Sequence, residues 1–355
     1  MKKVFCIGIG TLALLFAFFP ETVSYAAGEA LSLCAHTLLP SLFPFFVCAN
    51  VLLSLGVAEK TGELFSGITR RLFRVNGEGA AAIFLGFISG YPAGAVISGR
   101  LYKEGCITKS EAERLLGFTN NAGPLFILGT VGTMLYGSKA AGLVLYVSVM
   151  VASLLTGFCM RFYKSSDFYA PKSGVHKEND PMGDAVSAVM TLSGYVVFFA
   201  VVLAFLENGG VIDAICRFFE MWGLGRGTAS LLSMGIFEIS TAAKKADGAL
   251  PAMAALLSFG GISVLLQTAS VIKKAGLSIK PYLIGKTLSA TFSAVICTLI
   301  LKVFPVTLKT AQISKPVVYA EYLSVATMMA IAVYLFYRVL CKISPRPLAQ
   351  RRKKW

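Results

Sequence analysis

A single carboxylate, Glu238, sits in the otherwise uncharged apolar stretch Met234–Ala243, followed closely by Ser240 and Thr241. Two adjacent carboxamides, Asn120 and Asn121, interrupt a second apolar stretch just before Gly123 and Pro124. Ser89 and Tyr91 lie in a third, Leu85–Ala95, where Gly90, Pro92 and Gly94 oppose a regular helix. Ser263, Gln267 and Ser270 are spaced for one helical face, with Thr268 beside them and Gly260 and Gly261 just upstream. At bilayer depth an unpaired charge costs at least about 2.5–3.5 kcal/mol. Glu238 is therefore expected to bind a cation, a proton, or an amine or hydroxyl of a solute, unless a salt bridge to Lys244 or Lys245 accounts for it. Asn120 and Asn121 offer donors and acceptors together, and Pro124 frees an upstream carbonyl. They read equally as ligands for a polar solute and as caps of a broken helix.

None of these groups makes a catalytic or metal-binding set. The only histidines, His36 and His176, are far apart, and the eight cysteines form no CxxC pair. An HExxH motif, a Ser–His pair and an acidic metal cluster are all lacking, so an intramembrane enzyme ranks last. The sequence is read as non-enzymatic, with no metal and no cofactor.

Such polar groups need elements to carry them through lipid. Of 355 residues, 56% are hydrophobic and 14% charged, against about 25% charged in soluble domains. This composition is that of an integral membrane protein. Runs that could cross a bilayer are Val4–Phe19, Leu31–Leu55, Phe118–Leu135, Ala140–Met160, Ala185–Leu206, Pro251–Ile272, Tyr282–Phe304 and Val317–Cys341. The net charge of +15 is scattered among connectors and lacks the basic, aromatic-interleaved surface of a nucleic-acid binder. Positive-inside bias explains it, and the tail from Arg346 to Lys354 suits contact with anionic membrane lipid.

The charges also suggest a topology. With Lys2 and Lys3 in the cytoplasm, the first helix exits, residues 21–29 form an outer loop, and the second span returns to Lys60, Arg70, Arg71 and Arg74. Pro40 and Pro44 are expected to kink that second helix. A re-entrant hairpin at Gly90 and Pro92 keeps Arg100, Lys103, Lys109 and Arg114 inside. A second hairpin, around Gly227–Lys245, then hangs from the outer side, where Arg217, Arg226, Lys244 and Lys245 run against the bias. Lys2, Lys3 and Ser24-Tyr25-Ala26 also fit a cleavable signal peptide. Retention is adopted because the charge pattern needs an even number of spans, which leaves both termini cytoplasmic.

Gly77-x-Gly79-x-Ala81 before the first hairpin corresponds to Gly225-x-Gly227-x-Ala229 before the second. Downstream, Ala122-Gly123 with Leu128 and Thr130 corresponds to Gly260-Gly261 with Leu266 and Thr268. A longer connector in the first half holds Thr108 and Glu111, a capping box opening a short amphipathic helix through Leu116. The expected fold is an all-α polytopic membrane protein with about eight spanning helices plus two re-entrant hairpins in an inverted repeat. Its parts are a first transmembrane helix (1–29), a first repeat (30–162), a cytoplasmic loop (163–182), a second, inverted repeat (183–305) and a last helix with a basic tail (306–355).

Leu39–Phe46, Ser89–Gly94, Glu111–Leu115, Phe118–Asn120, Pro124–Ile127, Phe237–Glu238 and Ser258–Val264 with Gln267 resemble the YlbJ family of sporulation integral membrane proteins. That family falls in a wider group with the Gate, or nucleoside-recognition, domain, similar to concentrative nucleoside transporters, ferrous-iron transporters and spore maturation proteins. The resemblance implies an endospore-forming bacterium, a cell-membrane location and a role in building the spore envelope. By position it implies a solute site among Ser89–Tyr91, Asn120–Gly123, Glu238–Thr241 and Ser263–Thr268, although the hairpin motifs differ from those of nucleoside transporters. The leading expectation is a transporter or permease of a small polar solute, nucleoside-like or an envelope precursor. The alternative is a non-transporting scaffold for spore envelope assembly. Expected partners are membrane lipid, the solute, a second copy of the chain and other sporulation proteins, with no nucleic acid.

Overall fold

Glycine, proline and asparagine at the interruptions divide what hydropathy alone would read as continuous helices. The computed structural model describes residues 2–55, 57–164, 180–245 and 249–306, and every regular element among them is helical. The chain opens with α1 (Lys2–Phe18) and α2 (Pro20–Leu33), then a π-helical turn (Cys34–Leu38) leading into α3 (Leu39–Ser54) and the amphipathic α4 (Val57–Phe73). A first hairpin pairs α5 (Gly79–Ser89) with α6 (Ala93–Lys103). Next come α7 (Lys109–Leu116), a non-helical segment at 120–123, a π-helix (Leu125–Leu135) and α8 (Lys139–Met160).

The remaining elements follow a similar order. The long α9 (Pro181–Asn208) leads to the amphipathic α10 (Val211–Met221) and a second hairpin of α11 (Arg226–Gly235) with α12 (Ile239–Lys245). A broken helix follows, α13 (Leu250–Phe259) and α14 (Gly261–Lys274), and then α15 (Lys280–Val303). Contacts cross between the two series: α8 packs along α15, α6 against α14, and α12 against the π-helix.

Among the described residues four helices are long and apolar enough to span a membrane: Lys139–Met160, Pro181–Asn208, Leu250–Lys274 and Lys280–Val303. A fifth arises if Ile9–Phe18 and Pro20–His36, bent by 99°, count as one. This is fewer than the seven expected runs that fall among the described residues, for identifiable reasons. Phe118–Leu135 is not one span, because the chain is non-helical from Asn120 to Gly123 and only the 11-residue π-helix continues it. Leu31–Leu55 contains the π-helical turn before α3 runs on through Pro44. Residues 21–29, expected as an outer loop, are helical within α2, where Pro20 at its first turn starts a helix readily. The Val317–Cys341 span, the basic tail and most of the 163–182 loop lie outside the described residues.

The expected capping box is present at α7. Glu111 N donates to Thr108 Oγ1 (3.3 Å) while Thr108 N donates to Glu111 Oε2 (2.7 Å). The helix it starts is a polar hub despite its burial. Asn76 N donates to Glu111 Oε1 (2.8 Å), and Ser278 N donates to Glu113 Oε1 (3.1 Å). Arg114, 1% exposed, donates to the carbonyls of Tyr163 (2.9 Å), Arg74 and Lys164. Lys164 Nζ reaches Glu113 Oε2 at 3.0 Å, and that bond raises the lysine pKa. The contribution of this strut is full below the ordinary lysine range and is lost as pH rises through the raised value. It is small, because the Lys164 side chain is 55% exposed.

Gly90, between α5 and α6, has φ +82, and a Cβ there would sit 2.8 Å from Gly123 N. The hairpin tip therefore touches the backbone of the broken segment. Gly105 has a similar φ of +78 but open space around it. Gly90→Ala is expected to cost about 1–2 kcal/mol more than Gly105→Ala, since both carry left-handed strain but only the first also collides. Thermal unfolding of the two purified variants measures the difference.

Candidate functional site

The helix breaks meet in the protein interior. In the first half Gly90 abuts Gly123. In the second, Ile262 N donates to Ile236 O (2.7 Å) and Ser263 N to Phe237 O (3.0 Å), so the break between α11 and α12 pairs with the start of α14. Backbone groups freed by breaking one helix are thus satisfied by the next, as burial requires.

Glu238 is 1% exposed. Its Oε1 accepts from Ser240 N (3.0 Å) and its Oε2 from Thr241 N (2.5 Å), so the carboxylate caps α12 and is held in a fixed orientation. Beside it lies a central cavity of about 30 Å³. Its polar wall comprises Tyr91, Gly123, Glu238, Ser240, Ser263 and Gln267, and Leu38, Leu42, Leu192 and Val196 are among its apolar side chains. Gln267 Nε2 lies 3.4 Å from Ser263 Oγ. The Tyr91 hydroxyl and Gln267 Oε1 are buried with no hydrogen-bond partner among the described residues, as are Asn120 Oδ1 and Ser258 Oγ. Orphaned buried polar atoms are uncommon in proteins, and several of these belong to the same broken segments.

A second polar cluster joins the two halves. Asn120 Nδ2 donates to Thr268 Oγ1 (3.0 Å) and reaches Tyr282 Oη (3.5 Å). Lys286, 1% exposed on α15, donates to Asn120 O and lies 3.3 Å from Asn121 Oδ1. Asn121 Oδ1 also accepts from Ser153 Oγ (2.9 Å), and Asn121 Nδ2 donates to Phe118 O (2.8 Å). The Lys286 ammonium stands 6.0 Å from the Tyr91 ring centroid. A Cβ on Gly285 would collide with the Gly117 backbone, so this glycine allows the close approach that brings Lys286 to Asn120.

A protein-family model described as "Nucleoside recognition", the Gate family, matches residues 35–165. Over 320 residues the chain is 30% identical to the sporulation integral membrane protein YlbJ of Bacillus subtilis (strain 168), with 80% of this chain and 78% of that protein covered. The chain belongs to the YlbJ family. It is an integral membrane protein with a Gate domain. No solved structure matches it significantly.

Within this YlbJ-family fold, Tyr91, Gly123, Glu238, Ser240, Ser263 and Gln267 line one cavity. Asn120 and Thr268 pair directly, and Asn121 joins them through Lys286. Ser89 is buried in the last turn of α5 and does not line the cavity. Thr241 lines a separate cavity of about 580 Å³ between α2 and α9, with Glu21, Glu29 and Glu207. The alternative ion pair of Glu238 with Lys244 or Lys245 lies outside the described side chains. Lys286 and Tyr282 are absent from the residues singled out by sequence. The available signal was a lysine inside the apolar run Tyr282–Phe304. No cluster of three or more His, Cys, Asp or Glu suited to a metal occurs among the described residues.

Proposed function

We propose that this chain is a permease for a small polar solute, acting in spore formation, with both termini in the cytoplasm. The repeated order of hairpin, broken helix and long helix supports an inverted repeat whose halves meet at the solute path. One observation carries the reading: Asn120, in the break of one half, is hydrogen-bonded to Thr268, on the broken helix of the other. Tyr91, Gly123, Glu238 and Gln267 line a cavity beside that junction.

At about 30 Å³ the cavity is far below the roughly 300–1,000 Å³ of small-molecule sites. No solute of that size fits this conformation, and we place its passage on a parting of the two halves at the Asn120–Thr268 and Lys286–Asn120 bonds. The walls offer a carboxylate and amide and hydroxyl oxygens on one side and an ammonium close by, so the solute carries both donor and acceptor groups. The test is counterflow in proteoliposomes with nucleosides, amino acids and peptidoglycan precursors. Glu238→Gln and Asn121→Ala are each expected to reduce flux at least tenfold in folded protein. Flux indifferent to both changes refutes the reading. Normal sporulation with variants that cannot support flux favours a scaffold instead.

A further inference from the structure

We propose that the corner formed by the ends of α4 and α8 binds an anionic phospholipid. Its phosphate lies against Arg74 and Arg161, and its chains lie against the exposed apolar side chains of the two helices. The inference goes beyond the permease reading and does not depend on it.

The faces of α4 supply the first argument. Phe65, Thr69 and Phe73 form a row turned into the protein: Phe65 packs on Phe84 and Phe73 on Phe118, with ring centroids 4.8 and 4.9 Å apart, and Thr69 is buried. Lys60, Glu63, Arg70 and Arg74 form an exposed polar face. Between these two runs a third row, Leu64, Ile68 and Leu72, which is 75%, 53% and 42% exposed. A water-facing helix has no use for that row, whereas a helix lying in the membrane interface buries it among acyl chains. Arg71 borders the row on the helical wheel, placed to reach up to a phosphate from it. The end of the span-length α8 continues the apolar surface with Leu155, Phe158 and Phe162, all exposed.

Charge is the second and independent argument. The Arg161 guanidinium carbon lies 5.0 Å from the Phe158 ring centroid and 5.5 Å from that of Phe162, and the Arg74 carbon lies 5.9 Å from the same Phe162 ring. Two guanidiniums from different elements are thus gathered at one exposed ring, and neither has a carboxylate partner among the described residues. The acids of the adjoining α7 are engaged elsewhere, Glu111 by Asn76 and Thr108 and Glu113 by Ser278 and Lys164. Bases in a last turn offset the helix dipole, which explains Arg70 and Arg71. It does not explain two cations drawn together across elements without a counter-charge. A phosphate supplies that charge, since the guanidinium fork matches its oxygens. Free phosphate would leave the apolar row uncovered, so the lipid is the occupant that fits both features. The amphipathic α10 precedes the second hairpin as α4 precedes the first, with Phe218 and Trp222 exposed. Its charged residues are Asp213, Arg217 and Glu220, with no excess of bases, so it serves as an internal control.

The experiment adds phosphatidylglycerol or phosphatidylcholine of equal chain length to the purified full-length protein in an uncharged detergent and reads the thermal midpoint. Phosphatidylglycerol is expected to raise it saturably, as a ligand of the folded state does, and phosphatidylcholine to leave it unchanged. Inorganic phosphate, the anion without the chains, is expected to give no shift at the same concentrations. Arg74→Gln with Arg161→Gln raises half-saturation about tenfold or more. Arg161→Gln alone and Arg71→Gln alone each raise it about threefold, so the test stands should the pair fail to fold. Arg217→Gln on α10 leaves half-saturation where it is. Equal shifts from the two lipids overturn the proposal, as does a half-saturation that none of the α4 and α8 arginine changes moves. A shift reproduced by inorganic phosphate refutes the lipid, and a rise with Arg217→Gln as large as with Arg161→Gln reduces the effect to net charge; either overturns the proposal. Solute flux enters none of these readings, so this site and the permease reading fail separately.

Discussion

Arg114→Ala is expected to destabilise the protein by about 3–5 kcal/mol, the range for breaking a buried charged network, the largest loss among single changes considered. The guanidinium is 1% exposed and binds three backbone carbonyls, those of Tyr163, Arg74 and Lys164. Hydrogen bonds to a charged group contribute about 1.5–3 kcal/mol each, and a buried acceptor left alone costs about 1–3 kcal/mol. Two of the three carbonyls belong to non-glycine residues with positive φ, Arg74 at 52° and Lys164 at 45°. Such conformations cost about 1–2 kcal/mol and persist only where surroundings enforce them. Arg114 is that enforcement, because one side chain on α7 draws the ends of α4 and α8 together. Burial lowers its pKa and the charge of Glu111 opposes that shift, yet an arginine stays protonated throughout. Arg114→Lys keeps the charge but not the fork, so it should recover less than half of the loss. Thermal unfolding of both variants in detergent provides the check. An Arg114→Ala midpoint within a degree of the native protein would remove the hub from the account.

Local chemistry explains why parts of this architecture were legible beforehand. Gly90 and Pro92, Asn120 to Pro124, and Gly260 with Gly261 are residues whose own preferences interrupt helices, so each break stands where its sequence marks it. Thr108 and Glu111 are equally self-sufficient, since a capping box closes within one turn. Hydropathy was a poorer guide to span boundaries. Residues 31–55 and 118–135 are apolar on average, but average hydropathy says nothing of a π-helical turn or of a non-helical segment packed against a neighbouring element. The site divides in the same way. Glu238 stood out because a carboxylate in an apolar run is costly, but its role as the cap of α12 depends on how the chain turns at 236–238. Lys286 was hidden by an explanation that fitted its sequence position. A lysine near the end of an apolar run reads as an ordinary flanking charge, and only the approach of Gly285 to Gly117 turns it toward Asn120.

Lys286→Met is expected to separate function from stability more sharply than any other change. Methionine nearly matches the lysine stem in volume, so packing along α15 and α8 is retained. Two acceptors, Asn120 O and Asn121 Oδ1, lose a donor, at about 1–3 kcal/mol each. Against this, the change removes a buried ammonium whose desolvation opposes folding by several kcal/mol. These effects have opposite signs, so the midpoint should move by only a few degrees in either direction. Flux has no such compensation. The ammonium links the broken segment of one half to the last described helix of the other, beside Tyr91 and the Asn120–Thr268 bond. A solute that replaces those bonds on entry loses its strongest donor, and counterflow should fall about a hundredfold. That fall corresponds to about 2.7 kcal/mol, the scale of a charge-assisted hydrogen bond. Midpoint and flux declining together in proportion would make Lys286 a structural prop. Unchanged flux would take it off the solute path.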